Sequence, residues 1–115
     1  MIIKKKKEYS PLIMEDDKSS GILFYPMLTV KDGTPTFAMR LFEISPGGYT
    51  PRHQHDWEHE AYIISGGGFV LKKEEKIEIE KDDFIYVEPS ELHQFQAGEN
   101  GMSIICVVPN KGQPS

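Results

Sequence analysis

The stretch Arg52-His53-Gln54-His55-Asp56-Trp57-Glu58-His59-Glu60 carries three of the chain's four histidines, and the fourth is His93. In an extended strand side chains alternate in face, so His53 and His55 project together. In a helix they would diverge by about 200°. The H-x-H spacing therefore works as a chelate only when extended, and Pro51 with Gly47 and Gly48 upstream disfavours a helix there. A neutral imidazole offers one lone pair to a metal at roughly 2.0–2.2 Å, and three or four converging rings make a tight site for a first-row ion. Histidines also cluster by accident or serve as ordinary hydrogen-bonding groups. That every histidine of the chain sits at a compatible strand position favours the metal.

Outward from this segment the chain reads as β throughout. Short runs rich in β-branched and aromatic residues are bounded by Gly, Pro, Asp and Asn. The expected strands are Gly21–Thr29, Thr36–Ser45, His59–Ser65, Gly68–Lys73, Lys76–Glu80, Phe84–Val87, His93–Gln96 and Met102–Val108. Lys31-Asp32-Gly33, Ser45-Pro46-Gly47-Gly48, Lys81-Asp82-Asp83 and Gly98-Glu99-Asn100-Gly101 read as turns. Ile77 and Ile79 alternate with Lys76, Glu78 and Glu80, the period of a half-buried strand. About eight closely spaced strands predict an all-β sandwich or closed barrel, and closure removes exposed sheet edges. Residues 11–20 read equally as a loop or a short helix.

With 115 residues and neither linker nor repeat, one domain spanning 1–115 is expected. No apolar run approaches the ~20 residues needed to cross a bilayer. The start MIIKKKKEYS lacks the apolar stretch of a secretion signal, so a cytoplasmic protein is the expectation. A net charge of −5 argues against general nucleic-acid affinity, which needs a positive surface. Lys4–Lys7 reads as a solvated arm or a charged strand edge. Cys106 is the lone cysteine, which excludes an intrachain disulfide.

Two segments carry a family resemblance. Gly47-x5-His53-x-His55-x3-His59-x6-Gly66 resembles the first motif of the cupin superfamily, G-x5-H-x-H-x3,4-E-x6-G. Asp82–Ala97 resembles the second, G-x5-P-x-G-x2-H-x3-N, with His93 in the metal-binding place. Asp82, Glu88, Ser90 and Ala97 depart from it. The resemblance spans about 36 to 108 and implies a single-domain cupin, a double-stranded β-helix or jelly-roll-like barrel with a metal inside. The first motif allows either His59 or Glu60 as third ligand, and neighbouring strand residues cannot both face inward without a bulge. The run His59-Glu60-Ala61-Tyr62-Ile63-Ile64-Ser65-Gly66 fits the family's E-x-x-Y-V-x-x-G best with His59 as ligand and Glu60 outward.

Through RHQHDWEHE, FAMRLFEISPGG and IYVEPSELH the chain also resembles small single-domain manganese-binding cupins with four-histidine sites. That implies the ligand set His53, His55, His59 and His93, with manganese as the ion and iron, zinc or nickel as alternatives. Four neutral ligands leave the ion its full +2 charge, which attracts an anionic small molecule. The resemblance implies an oxygenase acting on a small organic substrate. The alternatives are a metal-assisted isomerase or decarboxylase, and a non-catalytic barrel binding a sugar or acid. Arg40 shares a strand face with Ala38 and Phe42 and is expected either to orient an anionic substrate or to sit at a rim or in a dimer salt bridge. Ile104, Cys106, Trp57, Tyr62 and Phe95 are expected around the pocket. A homodimer is expected, with a strand at about 2–9 added to a neighbour's sheet.

Overall fold

The computed structural model describes residues 1–112 of the chain. Seven strands form its frame: β1 (Leu12–Met14), β2 (Ser20–Leu28), β3 (Phe37–Tyr49), β4 (His59–Lys72), β5 (Glu75–Glu80), β6 (Phe84–Val87) and β7 (His93–Pro109). All pairings are antiparallel, in the order β1-β2-β3-β7-β4-β5, and β6 also pairs with β4. No helix among the described residues is long and apolar enough to cross a membrane.

Two pairs of expected strands are single long ones. His59–Ser65 and Gly68–Lys73 are the two ends of β4, and His93–Gln96 and Met102–Val108 are those of β7. The Gly-rich segments between them are bulges where the ladder shifts register, not chain reversals. The bends let β4 and β7 serve both halves of the fold. The Ala61 half of β4 pairs with β6 and the C-terminal half of β7, and the Val70 half pairs with β5 and the N-terminal half. Inward residues of both halves, among them Ile22, Ile63, Val70, Phe95 and Ile104, meet in one buried cluster, as the sandwich-like jelly roll requires.

The glycines at these bends have specific work. Gly66 takes φ 72°, and a Cβ there would strike the Gly101 carbonyl. A Cβ on Gly68 would strike the Gln96 carbonyl across the β4–β7 ladder. The second motif's departures from glycine keep the glycine backbone: Asp82 has φ 73° and Ser90 φ 65°. Asp is among the residues that tolerate this conformation best.

Residues 11–20 contain the short edge strand β1, then a turn in which Asp16 Oδ1 accepts from the amides of Lys18 and Ser19, each at 2.8 Å. The expected strand at 2–9 does not form within the chain. Lys6–Glu8 is a single 3-10 turn instead. It is tied down by its lysines: Lys4 pairs with Asp32 at 2.8 Å and Lys6 with Glu43 at 2.7 Å. Charge complementarity thus fixes the arm within the single chain.

Candidate metal centre

Register sets the inward side chains. β3 and β7 align Arg40 with Cys106 and Phe42 with Ile104, while β7 and β4 align Cys106 with Ala61. His59 lies two residues before Ala61, hence on the same face. His59 is buried and its neighbour Glu60 is exposed, so the strand turns the imidazole in and the carboxylate out. At the same end of the fold, His93 opens β7 and is 3% exposed. His53 is bridged to it by a reciprocal pair of backbone hydrogen bonds, His53 N–H to His93 O at 3.1 Å and His93 N–H to His53 O at 3.0 Å. Ser90 N–H donates to His55 O at 2.6 Å and anchors the following loop.

The four rings gather with centroid separations of 4.4 Å (His55–His59), 4.8 Å (His53–His93), 5.0 Å (His53–His55) and 5.1 Å (His55–His93 and His59–His93). One nitrogen from each of His53, His55 and His93 lies within 4.8 Å of the others. Donors on a common ion at roughly 2.0–2.2 Å stand ~3–4 Å apart, so small ring rotations complete the set.

Hydrogen bonds aim these nitrogens. His55 Nδ1 donates to Trp57 O at 2.9 Å, and His93 Nδ1 to Glu91 O at 2.8 Å. A carbonyl only accepts, so in each neutral ring Nδ1 carries the hydrogen and Nε2 is left bare, the tautomer a metal ligand needs. His59 Nε2 stands 2.6 Å from His55 Nε2, and its Nδ1 is 3.0 Å from Cys106 Sγ. In this arrangement His59 supplies the hydrogen between the two Nε2 atoms and its Nδ1 accepts from the thiol. To join the other three as a ligand, His59 must carry its hydrogen on Nδ1 instead, facing the sulfur. The donor set fits a divalent ion, with three nitrogens already convergent and the fourth one tautomer away.

Burial disfavours the charged form of three of these rings, His53, His59 and His93. Burial, reinforced by Arg40 and the other histidines, lowers the His59 pKa to about 2. Burial, then His93, His55 and Arg40, lowers His53 to about 4. His93 is also lowered by burial, against the opposing hydrogen bond to Glu91. Burial raises the Cys106 thiol, with Arg40 acting in the other direction.

His53, His55 and His59 form one wall of a cavity of about 280 Å³. Arg40, Trp57, Phe95, Ile104 and Cys106 line it. Trp57 stacks on His55 at 4.3 Å with the planes 2° apart. Tyr62 does not line it. It lies one residue out of phase with Ala61 and Ile63, packs on Phe84 and hydrogen-bonds Asp82 on the outer face. Met14, Phe24, Phe42, Thr50, Pro51 and Gly112 complete the lining. Phe24 and Met14 come from strands whose inward phase is obscured by apolar residues on both faces. Among the described residues no Asp or Glu lines the cavity.

An antiparallel jelly roll with imidazoles at one end of its core that could hold a metal ion is the architecture of the small cupin-like β-barrels. Residues 40–108 match the Cupin domain family, and the chain belongs to it. The fold resembles that of the polyketide cyclase RemF from Streptomyces resistomycificus, with a TM-score of 0.87 and 25% identity over 96% of this chain and 80% of that one. A predicted oxalate decarboxylase from Thermotoga maritima gives a TM-score of 0.83 at 17% identity, covering 94% of this chain and 98% of that one. Ectoine synthase from P. lautus gives 0.77 at 22%, covering 96% and 78%. At those two identities the likeness concerns the fold. No curated protein sequence matches the chain.

Proposed function

We propose that this chain is a metal-dependent enzyme acting on a small, mainly apolar carbonyl compound, with His53, His55, His59 and His93 as the ligands of a divalent ion. The observation carrying this reading is the convergence of imidazole nitrogens, with those of His55 and His93 aimed by hydrogen bonds from Nδ1 to backbone carbonyls. When bound, the ion would supply Lewis-acid polarisation of a substrate oxygen and, as manganese or iron, access to oxygen chemistry.

The chain's own residues do the rest. With no carboxylate in the lining, nothing offsets the ion's charge, so oxygen donors of substrate are favoured over neutral groups. Trp57, Phe24, Phe42 and Phe95 hold the apolar body of the substrate and exclude water. The Cys106–His59 contact holds or returns a proton at His59 Nδ1. Enolisation of the carbonyl compound, followed by isomerisation or ring closure, is the chemistry such a wall accommodates, and the likeness to RemF supports it. An oxygenase is the second reading, favoured by the all-histidine donor set, which leaves the charge of a manganese or iron centre uncompensated.

Metal analysis of protein purified without added metal tests the first claim, and stoichiometric manganese, iron or zinc is expected. Oxygen uptake with enolisable ketones then separates the two readings. Turnover without uptake supports Lewis-acid chemistry, and uptake lost in His55→Ala supports the oxygenase. A protein holding no metal above trace, before or after loading, overturns both.

A further inference from the structure

Arg40 is 8% exposed, lines the cavity, and makes no salt bridge among the described residues. Its Nε is buried with no hydrogen-bond partner. Among the described residues its one side-chain hydrogen bond runs from Nη2 to Cys106 Sγ at 3.3 Å, a weak acceptor. The guanidinium lies 5.3 Å from the Phe42 ring centre and 5.9 Å from that of Phe24. Aromatic faces support a cation but accept none of its directed hydrogen bonds. A buried cation left this way is costly unless something completes it, and the cavity is the open side.

The nearest carboxylate on these strands, Glu43, is spent elsewhere. It lies on the opposite face of β3, paired with Lys6 at 2.7 Å and accepting from Tyr25 at 2.9 Å. Among the described residues no carboxylate is left for Arg40, and the cavity gives a ligand access to it. A planar guanidinium fork matches a carboxylate. The Cys106 sulfur that touches Arg40 also touches His59 at 3.0 Å, so a single atom separates the guanidinium from the histidine cluster. A short ligand spans both.

We propose that Arg40 is the specificity residue of this pocket, and that the substrate is a compact organic carboxylate with an apolar, planar body and a second oxygen function a few bonds away. The carboxylate pairs with Arg40, the body lies between Phe24, Phe42 and Trp57, and the second oxygen faces the histidines. This rests on the proposed function for its account of the second oxygen, whereas carboxylate recognition is a property of the protein chain alone.

The test accordingly uses chelator-treated protein at pH 8, where His53 and His59 are neutral. The probes are trans-cinnamate and trans-cinnamamide, of nearly equal shape, titrated by calorimetry and by quenching of Trp57, the chain's single tryptophan. Wild type is expected to bind the acid at least about tenfold more tightly than the amide, a difference of ~1.4 kcal/mol. Arg40→Gln is expected to erase that preference, and Arg40→Lys to keep part of it through charge without the fork. Equal binding of the two probes by wild type, binding of neither, or a preference surviving in Arg40→Gln overturns the proposal. If Arg40→Gln does not fold, the wild-type comparison and Arg40→Lys decide it: a preference undiminished in Arg40→Lys counts against recognition by the fork. A protein that never takes up metal but passes this test refutes the metal reading alone, and the converse result refutes only the carboxylate.

Discussion

Thermal stability of the chelator-treated protein is expected to fall steeply between pH 7 and pH 5, chiefly through His59. In the fold its pKa is lowered to about 2 by burial, with Arg40 and the other histidines adding to the effect. In the unfolded chain it returns to near 6.5. The unfolded state therefore takes up a proton as pH drops through 6.5 while the folded state does not, and stability is lost as pH falls. At pH 5 that difference amounts to roughly 2 kcal/mol for a group this well buried. For a domain of this size ~1 kcal/mol moves the melting temperature by about 4 °C, so the expected drop is about 8 °C. His53 acts in the same direction, but its side chain is largely exposed and solvent screening limits it to about 1 kcal/mol or less. Carboxylates contribute little in this window, because their unfolded values lie near 4. Circular-dichroism melts at pH 7 and pH 5 measure the drop. His59→Gln, which cannot titrate, should lose most of the pH dependence whatever its absolute stability. A wild-type shift under 2 °C, or the same drop in His59→Gln, would refute the claim that His59 is kept neutral by the fold.

His93→Ala should weaken metal binding by more than roughly 100-fold, since it removes one ring of the cluster while leaving the backbone bridge to His53 in place, whereas Glu60→Gln should leave metal content unchanged; elemental analysis after dialysis reads both. Gly68→Ala should cost about 3 kcal/mol in urea unfolding, because the new methyl meets the Gln96 carbonyl in a paired ladder that cannot yield. Arg40→Met should raise the melting temperature of chelator-treated protein by ~4 °C, about 1 kcal/mol, because a buried cation without a counterion is replaced by an apolar chain of similar length; a lower melting temperature would show that the aromatic and sulfur contacts suffice for it. Light scattering should give the mass of a dimer, through the exposed Leu12 and Ile13 of edge strand β1 and the exposed Ile2 and Ile3 before it.

The sequence made the site more legible than the chain path. Histidine spacing tied to strand alternation locates the cluster, because alternation leaves little freedom: with Ala61 and Ile63 inward, His59 must be inward and Glu60 outward. Arg40, Phe95, Ile104 and Cys106 follow from the same period on β3 and β7. Tyr62 fails by that rule too, since it stands in the phase of Glu60. Turns were harder. A glycine cluster such as Gly98-Glu99-Asn100-Gly101 has the chemistry of a reversal, yet its neighbours on β4 hold it in a bulged continuous strand, and local sequence contains no record of those neighbours. Phe24 and Met14 were missed because β2 and β1 carry apolar residues on both faces, which erases the period. Within the single chain, ion pairs to Asp32 and Glu43 hold the N-terminal arm as a turn, a pairing that local sequence contains no record of.

The His53–His93 bridge has a consequence for chain entropy. His53, His55 and His59 are close enough in sequence for an unfolded chain to grip an ion loosely, while His93 is reached only once the intervening strands have closed. An ion held by the whole set acts as a reversible cross-link across some forty residues. If it stayed on the chain during unfolding, such a loop would restrict the denatured ensemble by about 4 kcal/mol, as a disulfide of that span does. A chain with one cysteine has no other covalent or near-covalent means to that end. Retention of the ion by His93 together with the earlier histidines in the unfolded chain, visible as a melting temperature that stops rising with free metal concentration, would make the metal a clasp on the fold as well as a reagent.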